Sequence, residues 1–146
     1  AWLSWRRRRG AARLYAWVTL TGWALNSLTK LLFHRARPNI IPRLGRAGWY
    51  SFPSGHAMLA PLVLGLAAVL LAREVRQPML RRMRLGVTGV LVLTIAFSRV
   101  YLGVHYPSDV AGALLVGTGW GALWVIVAQQ RREGKSAVGE RSGADR

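Results

Sequence analysis

The sequence of 146 residues contains no cysteine, which excludes a disulfide framework, a thiolate metal site and a cysteine nucleophile. Acidic residues are also scarce, since five Asp and Glu face 21 Lys and Arg, giving a formal net charge of +16. Hydrophobic residues nevertheless make up 52% of the chain, which excludes a disordered basic tail. A soluble nucleic-acid binder fits poorly, because its charges would be spread over a hydrated surface. The composition therefore predicts no nucleic-acid partner. The length predicts a single domain over residues 1–146.

Four apolar stretches lack Asp, Glu, Lys and Arg, at residues 14–29, 57–72, 85–98 and 110–130. A bilayer core takes about 20 helical residues, so the last stretch suffices alone and the others need flanking residues. Four packed soluble helices are the alternative, but no stretch shows the polar face that a soluble helix needs. Seven tryptophans suit a lipid–water interface. The sequence therefore predicts an all-α, polytopic transmembrane bundle with about four membrane helices.

The basic residues are distributed unevenly between these stretches. Residues 1–13, 73–84 and 131–146 hold fifteen of them, whereas the 30–56 and 99–109 loops hold six: Lys30, Arg35, Arg37, Arg43, Arg46 and Arg99. This positive-inside pattern places both termini in the cytoplasm and the two poorer loops on the outer face. The net charge then indicates contact with anionic membrane lipids. Residues 131–146 are predicted to form a flexible basic cytoplasmic tail.

The first residues indicate a chain that is truncated at its N-terminus. The sequence begins without Met, and residues 1–5 are interpreted as the last turn of an earlier apolar helix. A signal peptide over residues 1–30 is the alternative, but no small-residue cleavage site follows the apolar stretch.

The two outer loops carry residues suited to binding a phosphate. Lys30, Arg37 and Arg99 are cations at helix ends, where charge is costly unless it has a partner. Arginine offers a planar fork for phosphate oxygens, and lysine a point charge. Ser54 and Gly55 immediately precede the second apolar stretch, so they are predicted at a helix N-terminus that favours an anion.

Two histidines in the same loops can move protons near neutral pH, namely His56 and His105. Asp109 follows His105 by four residues, and Pro107 suits a first helical turn, so carboxylate and imidazole are predicted on one helix face. Each feature also has a structural explanation: a cation that reaches to lipid head groups, a helix cap, or a local His–Asp pair. His34 is assigned no role. The convergence of all the features in two loops favours a functional site.

The three motifs K-x(6)-R-P, P-S-G-H and S-R-x(5)-H-x(3)-D resemble those of the type 2 phosphatidic acid phosphatase family. Their eleven specified positions are filled without departure by Lys30, Arg37 and Pro38, by Pro53, Ser54, Gly55 and His56, and by Ser98, Arg99, His105 and Asp109. The resemblance covers roughly residues 14–130. It implies a fold of six transmembrane helices, with the motifs in the loops that connect the last four. This chain then resembles those last four helices, preceded by the end of the second helix.

The resemblance also implies a mechanism. His105 would be the nucleophile that forms a phosphohistidine, Asp109 would hold its other ring nitrogen, and His56 would be the general acid and then the base. The phosphoryl oxygens would be bound by Lys30, Arg37, Ser54, Gly55 and Arg99. No metal or other cofactor is expected, because Asp109 is the only acid in the outer loops and no carboxylate pair exists for magnesium.

The resulting prediction is an integral membrane lipid-phosphate or lipid-diphosphate phosphatase, with its active site on the extracytoplasmic face of a bacterial plasma membrane. Undecaprenyl diphosphate, phosphatidylglycerol phosphate and phosphatidic acid are the substrates considered, and the sequence does not choose among them. A lipid phosphotransferase of the same family is the nearest alternative. A haloperoxidase would need vanadate in the same pocket, and the soluble haloperoxidases lack these membrane spans. A non-catalytic lipid-binding relative predicts loss of His56, Arg99 or His105, but all three are present. The oligomeric state is left open.

Overall fold

The chain folds into a bundle of long helices. The computed structural model describes residues 2–39, 44–45 and 48–144, with side chains at 9–39, 44–45, 48–131 and 134, and no strand occurs among these residues. The elements are α1 (Trp2–Phe33), α2 (Gly55–Ala60), a π-helical turn (Pro61–Gly65), α3 (Leu66–Ala72), α4 (Pro78–Tyr101) and α5 (Pro107–Ala144). The prediction of an all-α helical bundle is confirmed.

Three helical segments of the described residues are long and apolar enough to cross a membrane: Gly55–Ala72, Pro78–Tyr101 and Pro107–Arg131. The fourth predicted stretch, residues 14–29, lies in α1, where several Thr residues and the buried Asn26 lower the hydropathy. The part of the chain that the structure describes therefore contains four long helical segments, and three of them meet the criteria of length and hydropathy.

Both ends of the chain extend the predicted helices. Residues 2–5, interpreted above as the end of a separate helix, continue unbroken into α1, because no proline interrupts the stretch up to residue 13 and arginine is a good helix former. At the other end, α5 continues through the predicted basic tail to Ala144, and flexibility of that tail stays a prediction. Arg43 and Arg46 lie outside the described residues.

The second membrane segment changes its helical pitch at Pro61. Proline lacks a backbone N–H and its ring collides with the preceding turn, so a regular α-helix cannot pass through it unchanged. The chain widens into a π-helical turn, in which the N–H of Leu66 donates to the carbonyl of Pro61. Residues 55–72 thus form one continuous helical rod with a wider turn in the middle.

Small residues bring the helices close together. A Cβ atom on Gly117 of α5 would collide with the backbone carbonyl of Met58 in α2, and one on Gly22 of α1 would collide with Leu62. Met58 and Leu62 are fully buried and belong to the two hydrophobic clusters of the interior. Close approach through glycine is a common packing mode of membrane helices. Many large apolar side chains remain exposed on the outer faces, as expected of helices that face lipid.

The loops that carry the three motifs meet at one end of the bundle. The N–H of Leu44 donates to the carbonyl of Leu102 at 3.2 Å, and that of Ser54 to the carbonyl of Asp109, also at 3.2 Å. The connection from α3 to α4, at residues 73–77, lies at the far end of the rod that starts at Gly55. The two predicted outer loops therefore share one end, opposite the arginine-rich connection.

Candidate active site

His105 is positioned by the way in which α4 ends. Gly103 adopts a left-handed conformation with φ 68°, which a residue with a side chain rarely accepts. The N–H of Gly103 donates to Val100 O at 2.9 Å and that of Val104 to Arg99 O at 3.3 Å, which is the Schellman pattern of a helix C-terminus. The chain turns back sharply, and the His105 side chain is left 5% exposed beneath the loop.

Asp109 is fixed by the start of α5. Pro107 is the first helical residue, so Asp109 stands at the third position, and its Oδ2 accepts the N–H of Tyr106 at 2.9 Å. This contact corresponds to one of the two hydrogen bonds of a capping box, the one from the N-cap N–H to the side chain at the third helical position. The carboxylate is completely buried, and its Oδ2 lies 3.6 Å from His105 Nδ1. The predicted His–Asp pair is therefore present, at a distance slightly longer than a hydrogen bond.

The imidazole of His105 is held as a neutral ring with a defined tautomer. Its Nε2 lies 3.2 Å from Nη1 of Arg37. Because a guanidinium can only donate, Nε2 accepts and the ring proton resides on Nδ1, which faces Asp109. Burial lowers the pKa of His105 to about 4, with further lowering by the charges of Arg37 and Lys30 that Asp109 only partly offsets. The ring therefore keeps a lone pair on Nε2 at neutral pH.

Arg37 joins the first motif loop to the turn before α5. Its Nε donates to Trp49 O at 2.9 Å, its Nη2 to Gly48 O at 2.8 Å and to Tyr50 O at 3.3 Å. Its Nη1 donates to Val104 O at 2.8 Å, one residue before the histidine. The guanidinium thus orders two backbone segments and places positive charge beside the His105 lone pair.

Lys30 is buried at the end of α1, with 8% of its surface exposed. Its ammonium donates to the carbonyls of Tyr50 at 2.8 Å and Pro53 at 2.7 Å. A buried ammonium is costly without such partners. Lys30 therefore fixes the segment that leads directly into Ser54.

The second motif forms the N-terminus of α2. Ser54 is the capping residue and is fully buried, yet its hydroxyl has no hydrogen-bond partner in the described part of the chain. Gly55 follows, and a Cβ atom there would lie 3.3 Å from Asn26 Oδ1. His56 has an exposed side chain within electrostatic range of Arg99, the basic residue in the last turn of α4.

A cavity of about 420 Å³ opens beside this N-terminus, between α1, α2 and α4. Its polar end is formed by Asn26, Gly55 and His56. The remainder is apolar and is lined by Trp23, Leu59, Ala60, Val63, Leu64 and Ile95. The structure therefore joins a polar pocket to an apolar groove that extends along the second membrane segment.

The eight predicted site residues all lie at this end of the bundle. Lys30, Arg37, His105 and Asp109 form one cluster, whose members interact with the His105 ring. The Ser54 N–H donates to the backbone of Asp109, which places the start of α2 against that cluster. Among residues 2–39, 44–45 and 48–144, no group of three His, Asp or Glu side chains could hold a metal ion.

The family model described as "PAP2 superfamily" matches residues 11–133 of the chain. The chain belongs to the PAP2 superfamily. Among PAP2 proteins, it is 36% identical over 96 residues to phosphatidylglycerophosphatase B of Bacillus subtilis (strain 168), covering 64% of this chain and 46% of that protein. It is 37% identical over 103 residues to decaprenylphosphoryl-5-phosphoribose phosphatase of Mycobacterium tuberculosis, covering 68% and 51%. It is 33% identical over 111 residues to undecaprenyl-diphosphatase BcrC of Bacillus subtilis, covering 70% and 51%.

The fold agrees with this PAP2 assignment. The structure superposes with a TM-score of 0.72 on the crystal structure of a transmembrane PAP2-type phosphatidylglycerolphosphate phosphatase from Bacillus subtilis, at 33% identity, covering 80% of this chain and 58% of that one. The chain spans about half the length of the curated relatives it matches. The resemblance predicted from the three motifs is confirmed, and the chain is an integral membrane protein.

Two polar residues of this PAP2 site were not predicted from the sequence. Arg35 Nη1 lies 2.8 Å from Asp109 Oδ1, and Ser51 Oγ donates to Asp109 Oδ2 at 2.5 Å. Arg35 occupies an unspecified position inside the first motif, and Ser51 lies outside all three motifs. The one signal in the sequence was a second arginine close to Arg37, in a loop that contains no acidic residue.

Proposed function

We propose that this protein is a membrane lipid phosphatase that removes a phosphoryl group from a lipid phosphate or lipid diphosphate through a phosphohistidine on His105. The observation that carries the proposal is the buried, neutral imidazole, whose Nε2 lone pair faces the Arg37 guanidinium. A nucleophile needs an unprotonated nitrogen, so the incoming phosphorus has to replace the Arg37 hydrogen bond at Nε2, and a phosphoryl group needs positive charge at the same place.

The reaction has two steps. In the first, His105 Nε2 attacks the phosphorus, the bond from phosphorus to the lipid oxygen breaks, and His56 gives its proton to that leaving oxygen. In the second, His56 takes a proton from water, the water oxygen attacks the phosphohistidine, and inorganic phosphate leaves with His105 restored. Asp109 stabilises the positive charge that the His105 ring acquires when the nitrogen–phosphorus bond forms.

The phosphoryl oxygens are held without a metal ion in this proposal. Lys30, Arg37 and Arg99 supply fixed positive charge, and the Ser54 hydroxyl and Gly55 N–H supply neutral donors at a helix N-terminus. The unpartnered Ser54 hydroxyl supports this arrangement, because a fully buried hydroxyl without a hydrogen bond is costly and an incoming oxygen would satisfy it.

The lipid chain lies in the apolar groove beside His56. The leaving oxygen carries the chain, and the general acid must reach that oxygen, so the chain has to depart from the site next to His56. The cavity of about 420 Å³ begins at this residue and continues along Leu59 and Val63. Its size falls within the usual range for small-ligand pockets.

Two further observations support the substrate class and the location. The relatives named above include a phosphatidylglycerophosphatase, an undecaprenyl-diphosphatase and a phosphatase of a decaprenylphosphoryl sugar phosphate. The substrate proposed here is accordingly a phosphate or diphosphate of a long-chain lipid. The excess of basic residues at the opposite end of the bundle supports an active site on the extracytoplasmic face of a bacterial plasma membrane.

The test is phosphate release by the purified protein from a panel that includes phosphatidic acid, phosphatidylglycerol phosphate and undecaprenyl diphosphate. Wild-type protein is expected to release phosphate from at least one of them, and His105→Ala from none. His34→Asn is the matched control, because His34 lies outside the motif positions and Asn tolerates its φ of 46°. Transfer of the phosphoryl group to a second lipid without release of inorganic phosphate would contradict hydrolysis and favour a phosphotransferase.

A further inference from the structure

The geometry points to Arg35 and Ser51 as positioning residues that hold the Asp109 carboxylate in place against His105. This inference rests on the proposed role of His105 as nucleophile. Neither residue belongs to the specified positions of the three motifs, and both act through Asp109.

The Asp109 carboxylate is held more closely by these residues than by the histidine. Its Oδ1 lies 2.8 Å from Arg35 Nη1, and its Oδ2 accepts from Ser51 Oγ at 2.5 Å and from Tyr106 N–H at 2.9 Å. The distance from Oδ2 to His105 Nδ1 is 3.6 Å. Donors on both oxygens prevent the carboxylate from rotating, so Oδ2 stays directed at the imidazole.

Ser51 also lies between the two catalytic partners. Its Oγ is 3.5 Å from His105 Nδ1, and the residue is fully buried. When the ring becomes positively charged, a small movement of the ring can bring Nδ1 into hydrogen-bond distance of Asp109, because Ser51 and Arg35 keep the carboxylate fixed. The hydrogen bond that one ring nitrogen of a histidine makes determines which of the two nitrogens carries the proton.

Arg35 is itself anchored at three points. Its Nη1 also donates to Ser108 Oγ at 2.8 Å, its guanidinium lies 4.4 Å from the centre of the Tyr106 ring, and its carbonyl accepts the N–H of Ser51 at 2.8 Å. One residue thus ties the first motif loop to Ser51 and to the first turn of α5. Arg35 therefore aligns the acid with the histidine and adds a cation that offsets the carboxylate charge.

The test measures kinetics and the state of the His105 ring together. Arg35→Ala is expected to lower kcat by about 10–100-fold with little change in KM, the range seen when outer partners of ligand histidines are lost. Arg35→Lys is expected to recover a large part of the loss, because both side-chain hydrogen bonds of Arg35 come from a single nitrogen. Ser51→Ala should resemble Arg35→Ala. Ser27→Ala is the control, since its hydroxyl donates to Trp23 O within α1 and not to the Asp109 carboxylate, and its kcat should stay near that of wild type.

A double-mutant cycle identifies the route of the effect. If Arg35 acts through Asp109, then Arg35→Ala should cost little more in an Asp109→Asn background, and the two losses should be strongly non-additive. Additive losses would show that Arg35 acts independently of Asp109 and would overturn the inference.

A measurement that needs no substrate separates this inference from the proposed function. In a His34→Asn, His56→Asn background, histidine-selective ¹⁵N NMR reports the His105 ring alone, since the chain has three histidines. Arg35→Ala should raise the titration midpoint of His105, because the unpaired Asp109 carboxylate then favours the charged ring while Lys30 and Arg37 remain. If Arg35→Ala keeps the wild-type tautomer and titration midpoint of His105 and the wild-type kcat, the inference is overturned. Absence of phosphatase activity in wild-type protein would overturn the proposed function instead. If Arg35→Ala does not fold, Ser51→Ala gives the same comparison.

Discussion

The side chains of Arg37 and His105 meet with 3.2 Å between guanidinium Nη1 and imidazole Nε2. The same Nη1 donates to the carbonyl of Val104, so the cation is fixed by the backbone next to the histidine. A fixed donor at Nε2 places the lone pair and the positive charge together before any substrate binds. This arrangement supplies two requirements of phosphoryl transfer, an oriented nucleophile and preorganised charge.

The lowered pKa of His105 has a consequence for stability. Burial, with Arg37 and Lys30, lowers the pKa to about 4 in the folded protein, whereas an unfolded histidine has a pKa of about 6.5. Below about pH 6.5 the unfolded chain binds a proton that the folded chain does not, so stability is expected to fall between pH 6.5 and pH 4. Above pH 6.5 this contribution is constant.

Thermal unfolding of the detergent-solubilised protein across this pH range checks the prediction. His105→Gln should unfold at a temperature that depends less steeply on pH, since the titrating ring is gone. An identical pH dependence in wild type and His105→Gln would contradict the assignment of a neutral buried ring.

Much of the site was predictable because its residues are adjacent in sequence to helix ends. The spacing of His105 and Asp109 across Pro107 correctly predicted that the two side chains lie together, although His105 precedes α5 and does not lie on its face. Ser54 was correctly predicted at a helix start. Arg35 and Ser51 were missed because their contacts with Asp109 span 74 and 58 residues. Such contacts depend on how the loop after α1 folds over the start of α5, which no local pattern in the sequence records.

The fold was predictable to a similar degree. Charge-free stretches predicted the helical segments, but the π-helical turn follows from how the Pro61 ring is accommodated within a packed helix. The extent of α1 was also missed, because arginines at positions 6–9 were interpreted as a boundary, although arginine is a good helix former.

His56 is expected to matter in proportion to how much the leaving group needs a proton. A lipid alkoxide leaves poorly without an acid, so His56→Ala should lower the rate with lipid phosphates by about 10²–10⁴-fold. Nitrophenolate leaves unaided, so the first step with nitrophenyl phosphate should be affected far less. Phosphohistidine should then accumulate, because the second step still lacks its base. Rapid-quench kinetics with both substrates measures the two effects, with His34→Asn as control. Equal loss with both substrates and no trapped intermediate would assign His56 to phosphate binding alone.

Activity is expected to survive chelation and to be inhibited by vanadate. In the proposed mechanism Lys30, Arg37 and Arg99 supply the charge that a metal ion supplies elsewhere, and vanadate adopts the five-coordinate geometry of the phosphoryl transition state. Phosphate release is measured after dialysis against EDTA and then with increasing vanadate. Loss of activity on chelation that magnesium restores would contradict the metal-independent mechanism.

The site end of the bundle is expected to face outside the cytoplasm. Because the chain has no cysteine, single cysteines can be labelled without background. Cysteine at the exposed Asn39, in the loop after α1, should react with an impermeant maleimide on intact cells. Cysteine at the exposed Gln77, before α4, should react only after lysis. The reverse pattern would invert the orientation and leave the site chemistry unchanged.

Detection of the covalent intermediate tests the central claim most directly. Purified protein is mixed with a ³²P-labelled lipid phosphate, quenched in alkaline detergent and digested for mass spectrometry. The label is expected on His105, stable in alkali and lost in acid, and absent in His105→Ala. Label on His56, or undiminished phosphate release by His105→Ala, would contradict the account.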